Sequence, residues 1–445
     1  MTHTPDAGSA PADSACVADP ATPGAAELAR RIAARETTAL AVMQAHLARI
    51  AETEPSIHAF AHRDDEAALA AAASADAALA GGQAPGPLHG VPVSIKDWIE
   101  AEGLPCDGGF EPRAGYRPRR DATAVARLRA AGAIVLGKTV TREGEPLHPR
   151  PNNPHAPAHC PGGSSSGEAA AIAAGASPLG LGSDSGGSIR LPAAWCGLYG
   201  LKPTQGRVPL TGHFPAIGHL SDPRTAIGPL ARRPEDLALA LKVIAGPDGA
   251  DPSAHPVPLG DPADVEVRGL RIGISDLGGT DLTPEAWAAT QQVARRLEAL
   301  GAAVEPLDLP ILDEALDVSL AYWARPESMS HRQWRPPWSS TLSADQVEKS
   351  LFRWERLQRR LETVMDAWDA ILCPATPGPA PAHRLLDARD YLYTLPFSLT
   401  AQPVVVVPAG RAGALPLGAQ IVGHRWREDV VLALARGIEE TQDSA

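Results

Sequence analysis

Apolar residues recur at helical spacings from Glu27 to about Glu52, where Leu28, Ile32, Leu40, Val42, Met43, Leu47 and Ile50 mark one stripe. Residues 64–81 read as an alanine-rich helix ending at Gly81-Gly82. Val91-Pro92-Val93-Ser94-Ile95 then reads as a short buried strand, with charge arriving abruptly at Lys96-Asp97. Asp121 is placed to cap a helix carrying Val125 and Leu128; Gly132 closes it, and Ala133-Ile134-Val135-Leu136 is the next strand. The same phrase returns with Pro284 opening a helix, Gly301 closing it and Ala302-Ala303-Val304 following as a strand. Leu270 to Ile274 and Val404 to Val407 are further strands. Strands alternating with helices predict an α/β protein, a large sheet covered by helices on both faces.

Composition narrows the picture. The 445 residues are 44% hydrophobic, enough for a sizeable core, and no apolar run approaches the roughly 18 residues of a membrane span. The net charge of −12 argues against nucleic-acid and anionic-membrane partners, which call for a basic face. Five widely spaced cysteines (Cys16, Cys106, Cys160, Cys196 and Cys373) fit reduced thiols in a cytoplasm better than a disulfide scaffold or a zinc site. No metal-ligand cluster is apparent, so no metal or cofactor is expected. Residues 1–24, rich in Ala, Pro, Asp, Thr and Ser, lack the basic start and apolar run of a signal peptide and read as a disordered leader. Residues 25–445 then form one domain. Within it, residues 311–370 stand apart as a helical segment holding five of the nine tryptophans: Trp323, Trp334, Trp338, Trp354 and Trp368. These either pack on the core or form a lid over an acyl or aryl pocket.

The densest chemistry lies in two runs, Cys160 to Glu168 and Gly182 to Arg190. Gly162 and Gly167 have the spacing of a phosphate loop, but Glu168 stands where lysine is required. Gly163-Ser164-Ser165-Ser166-Gly167 formally fits a nucleophile elbow on Ser165, yet Pro154, Pro157 and Pro161 exclude the strand that an elbow needs; His219 and His424, the available partners, have no distinctive setting. A serine activated without histidine remains. Backbone N–H groups of Ser185, Gly186 and Gly187 precede Ser188 and suit an oxyanion hole. Lys96 is the candidate base, because burial disfavours its ammonium form; its alternative reading is a surface lysine at a strand end.

Together these residues resemble the amidase signature family. Gly90 to Asp97 is similar to the family's lysine motif, Gly162-Gly163-Ser164-Ser165 to its first serine motif, and Gly182 to Leu201, continuing into Lys202-Pro203-Thr204, to its long signature. Weaker similarity runs from about Glu27 to Glu440; residues 311–370 are unmatched. The resemblance implies the amidase-signature fold, a large mixed sheet, and a Ser–cis-Ser–Lys triad. In it Ser188 attacks the carbonyl, and Ser164, preceded by a cis peptide bond, relays the proton to Lys96. It also implies an oxyanion hole from the amides of Ser185, Gly186, Gly187 and Ser188, with Asp184, Arg190 and Ser165 as supports. Ser166 stands where many relatives carry glycine, a strained choice if the loop needs positive φ there.

The implied activity is an amidohydrolase cleaving C–N bonds of small-molecule amides or carbamates (urethanes), the tryptophans favouring apolar or aryl groups. Alternatives are the amidase subunit of a tRNA-dependent amidotransferase, working with partner chains, and a ureido-acid (allophanate-type) hydrolase. A binding protein on a dead scaffold is disfavoured by intact Lys96, Ser164 and Ser188. A carboxylate substrate would want a pocket arginine, for which Arg207, Arg224 and Arg325 are available. Oligomeric state is not legible.

Overall fold

The computed structural model describes residues 17–19, 22–141, 147–216, 223–324 and 342–443. Its strands are β1 (Phe60–Arg63), β2 (Pro92–Lys96), β3 (Ile134–Thr139), β4 (Leu179–Asp184), β5 (Tyr199–Lys202), β6 (Ala226–Ala231), β7 (Arg271–Ile274), β8 (Ala303–Pro306), β9 (Ala370–Pro374), β10 (Val404–Ala412) and β11 (Leu415–Gly423). They pair into one sheet in the order β1-β3-β2-β4-β6-β5-β10-β11-β9-β7-β8. Pairing is mixed: β3, β2 and β4 are mutually parallel, as are β8, β7 and β9, while the centre from β4 to β9 is antiparallel. Every residue of β2, β3, β4 and β9 is buried, as expected of strands covered on both faces.

The helical stripe expected over Glu27–Glu52 divides into Ala25–Ala33 and Ala39–Ile57, because Thr38 caps a new start by accepting from the Ala41 N–H. The alanine-rich helix is Asp65–Ala80. Asp121 is not a cap: its carboxylate accepts from the Glu102 N–H and pairs with Arg129. Of the expected disordered leader, residues 1–16, 20 and 21 lie outside the described residues. Ala18 is docked, its N–H donating to the Ala173 carbonyl, and Arg49 binds the Val17 carbonyl. Among the described residues no helix is long and apolar enough to cross a membrane.

The helix Ser166–Ala173 is wholly buried and fixes three strands at once. Its Glu168 carboxylate accepts hydrogen bonds from Ser94 of β2 and, at 2.7 Å, from Thr139 of β3. On β4 it lies against Gly180, where any Cβ would collide with it. One residue earlier, Gly167 passes so close to the Ala59 carbonyl and the Val140 backbone that a Cβ has no room. Gly167→Ala should therefore lower unfolding stability by about 1–3 kcal/mol or more in a denaturant titration.

Burial pushes the Glu168 carboxyl up to about 7, against the opposing hydrogen bonds from Ser94 and Thr139. The folded chain thus keeps a proton that the unfolded chain loses near its ordinary value of 4.5. This group's stabilisation is complete at low pH and declines as pH rises from about 4.5 through about 7. Glu168→Gln, which mimics the protonated carboxyl, should flatten that part of the profile. Melting temperatures of the two proteins across this range test it: the wild type should lose ground to the variant as pH rises.

Candidate active site

β2 and β4 are parallel neighbours, so their C-terminal ends, Lys96 and Asp184, emerge at the same edge of the sheet. Lys96 is fully buried. Its Nζ donates to Ser164 Oγ at 2.7 Å and to the Ser183 carbonyl at 3.2 Å, and lies 4.5 Å from the centroid of the Trp98 ring. The loop that brings Ser164 there has a cis peptide bond between Gly163 and Ser164. Before it, Gly162 sits at φ +91°, where a Cβ would lie 2.6 Å from Pro192 Cα. Ser166 begins a helix and has no positive φ, so serine fits without the strain that a left-handed site would impose.

The second loop is organised by Asp184. Its carboxylate accepts from the N–H groups of Gly187 (2.7 Å), Ile189 (3.1 Å) and Arg190 (3.3 Å), and from the Arg190 guanidinium at 2.9 and 3.0 Å. Burial alone would push this carboxyl up; the Arg190 charge and its hydrogen bonds outweigh that and hold it at about 2. Arg190, also fully buried, reaches the Thr394 carbonyl and Ser398 Oγ. Thr394 in turn donates through its hydroxyl to the Gly186 carbonyl. Gly187, at φ +138°, faces that hydroxyl so closely that only glycine fits. The Ser165 N–H donates to the Ser188 carbonyl at 3.3 Å and joins the two loops.

The amide of Gly187 is thus engaged by Asp184 and is not available to an oxyanion, contrary to the sequence expectation. Among the described residues the N–H groups of Ser185, Gly186 and Ser188 have no acceptor, and Ser188 Oγ has no hydrogen-bond partner. Ser188 is partly exposed while Ser164 is 6% exposed.

Around these loops, the Trp323 indole packs on Gly186, where a Cβ would lie 3.5 Å from the ring. Arg224 stacks 3.6 Å from Tyr322 and 5.2 Å from Trp323. Arg207 is excluded as a substrate group, since its guanidinium is bound by Glu428 and the Val257 and Trp426 carbonyls. Trp354 is a packing residue, 5.7 Å from Tyr322 with its N–H on the Leu399 carbonyl. Trp368 packs against Arg271. Trp334, Trp338, Arg325, His219 and Cys16 lie outside the described residues. His424 binds the Trp368 carbonyl, and the four described cysteines are buried and unpaired by disulfides.

Sequence reading missed His213, whose Nδ1 faces the Pro215 carbonyl and whose Nε2 meets Ser183 Oγ at 2.8 Å. The carbonyl can only accept, so Nδ1 carries a proton and donates to it. It also missed Lys138, paired with Asp97 at 3.1 Å, and Lys202, whose amine burial lowers to about 7. Nor did it find the convergence of His62, Asp97, Asp107 and His148, a set with metal-ligand chemistry that corrects the expectation that no such cluster exists.

The Amidase family model matches residues 41–335 and 324–432. A glutamyl-tRNA(Gln) amidotransferase subunit from Chloroflexus aggregans is 35% identical over 466 aligned residues, covering 93% of this chain and 95% of that protein. The subunit of the same name from Thermus thermophilus is 34% identical over 93% of this chain and 96% of its own. Among solved structures, a bacterial aryl acylamidase of the amidase signature family aligns with a TM-score of 0.85 at 26% identity, over 94% of this chain and 96% of that one. The peptide amidase from Stenotrophomonas maltophilia aligns with a TM-score of 0.79 at 28% identity, over 95% and 97% of the two chains. With three ordered motifs, the mixed sheet and these similarities in agreement, the chain belongs to the amidase signature family.

Proposed function

We propose that this amidase hydrolyses a C–N amide bond through an acyl-enzyme on Ser188, with Ser164 and Lys96 as the proton relay. The observation that carries the reading is the 2.7 Å contact between the buried Lys96 amine and Ser164 Oγ, on a loop tied to the Ser188 carbonyl. Ser188 Oγ adds to the carbonyl carbon as its proton passes to Ser164, and the Ser164 proton passes to neutral Lys96. The oxyanion is met by the amides of Ser185, Gly186 and Ser188, the three left unengaged among the described residues. Collapse breaks the C–N bond, and the relayed proton returns to the leaving nitrogen. Water then releases the acid by the same steps.

For the substrate, the relatives favour a glutamine-type primary amide, with the chain acting as the amide-hydrolysing subunit of an amidotransferase beside a protein partner. Its support is 34–35% identity, over more than nine-tenths of both chains, to proteins named as glutamyl-tRNA(Gln) amidotransferase subunits. A second reading, an aryl amide or carbamate, is favoured by the Trp323 indole against Gly186.

Ser188→Ala should reduce turnover by roughly 10⁶-fold, the usual cost of removing a serine nucleophile, and abolish labelling by a sulfonyl fluoride. Lys96→Ala should reduce it by about 10²–10⁴-fold, the usual worth of a positioned acid–base group. Labelling of another serine in the wild type, or a Lys96→Ala enzyme retaining more than a tenth of the rate, would overturn the relay; the one-tenth line sits well above that expected range.

Assays of the purified chain against glutamine and para-nitroacetanilide separate the substrates. Ammonia from glutamine exceeding para-nitroaniline release supports the amidotransferase reading. Release of para-nitroaniline with glutamine inert supports the aryl one.

A further inference from the structure

We propose that His62, His148 and Asp107, with Asp97 as fourth donor, form a binding site for one divalent transition-metal ion of the zinc class. The site is separate from the serine relay. His62 lies on the edge strand β1, opposite Lys138 of β3; Asp97 directly follows β2; Asp107 and His148 come from the loops beyond β2 and β3. Each residue offers one donor atom, and all four atoms fall within 4.8 Å of one another.

The arrangement is centred on Asp107. His62 Nε2 meets its Oδ2 at 2.8 Å, and His148 Nε2 meets its Oδ1 at 3.0 Å. Both imidazoles turn the same nitrogen inward, with their rings edge to face at 5.1 Å. Tetrahedral zinc with bonds of about 2.0–2.2 Å sets its donors roughly 3.3–3.6 Å apart. The two histidine contacts to Asp107, at 2.8 and 3.0 Å, lie about half an ångström inside that value and the 4.8 Å limit of the set lies about an ångström outside it, so a metal ion replacing the bridging protons would spread the first and draw in the second. Asp107 is 4% exposed, and among the described residues the groups able to carry positive charge that pair with it are these two histidines, with no lysine or arginine. A buried carboxylate calls for a cation or a metal.

The surroundings suit a metal as well. Asp107 Oδ1 also accepts from the Gly109 N–H at 2.9 Å, and Asp97 is oriented by the Gly108 N–H at 2.6 Å and by Lys138. Such outer hydrogen bonds fix carboxylate ligands in place. The side chains of His62 and His148 are 20% and 11% exposed, giving an entry path on the histidine side. Two imidazoles with carboxylates select zinc, cobalt, nickel or copper over magnesium or calcium.

The ion's effect would be positional. The Gly108 carbonyl accepts from Trp98 Nε1 and Thr141 Oγ1, and the Trp98 ring lies over Lys96 Nζ. A metal clamping Asp97 and Asp107 would stiffen the turn that carries this tryptophan, raising thermal stability without entering the chemistry at Ser188.

The test uses the full chain, stripped by chelator and titrated calorimetrically with Zn²⁺, with Co²⁺ absorption as an independent report of tetrahedral ligation. One ion per chain, a higher melting temperature with Zn²⁺ and a tetrahedral Co²⁺ spectrum are expected. Separate His62→Ala and His148→Ala variants, checked for folding by circular dichroism, should each weaken Zn²⁺ binding by more than about 100-fold, beyond the usual loss of an outer partner. Absence of stoichiometric binding by the wild type, or binding unchanged in both folded variants, would overturn the proposal.

Discussion

A single buried ion pair, Asp184 with Arg190, holds the geometry on which the rest of the candidate site depends. Both side chains have no exposure. Desolvating two charges is expensive, and their attraction offsets it only when the remaining hydrogen-bonding positions are filled. Here they are: three backbone amides complete the carboxylate, while the Thr394 carbonyl and Ser398 hydroxyl complete the guanidinium. The pair therefore does more than neutralise charge. It decides which amides of the 185–190 loop turn inward to Asp184, and by subtraction which remain for a substrate oxygen. It also anchors the loop to the helix Leu395–Leu399, far along the chain.

Strand direction supplies the other half of the arrangement. Only because β2 and β4 run parallel do Lys96 and Asp184 meet at one sheet edge. Functional groups gather at the carboxyl ends of parallel strands in open sheets for the same reason. Glu168 reinforces this locally by bonding to β2 and β3 and pressing on β4, which keeps the three parallel strands in register behind the site.

What was legible in the sequence follows from this. Lys96, Ser164 and Ser188 sit in contiguous motifs whose glycines and strand ends are local signals, and the structure brings Lys96 and Ser164 into contact. The helix over 65–80 and the strands at 92–96 and 271–274 were legible for the same reason, from short-range periodicity. The role of Gly187 was not. Its amide belongs to a carboxylate three residues earlier, and choosing between Asp184 and an oxyanion takes the folded turn. Asp121 misled similarly: it precedes a helix like a cap but serves Glu102 and Arg129 instead. The His62–Asp107–His148 set was invisible because it is assembled by antiparallel pairing of β1 on β3, and pairing partners have no local signature.

The tryptophans show how one compositional signal can divide in the folded chain. Trp354 gives its N–H to a main-chain carbonyl and its ring to Tyr322, the signature of a residue that satisfies a core. Trp323, from the preceding helix, instead lays its ring on Gly186, one of the loop residues whose amide has no acceptor among the described residues. Arg224 stacks on Tyr322 and Trp323, adding a cationic face to that wall. Trp354 therefore belongs to the core while Trp323 borders the serine loop, so the two sequence readings of this segment, packing and wall, each describe a different residue.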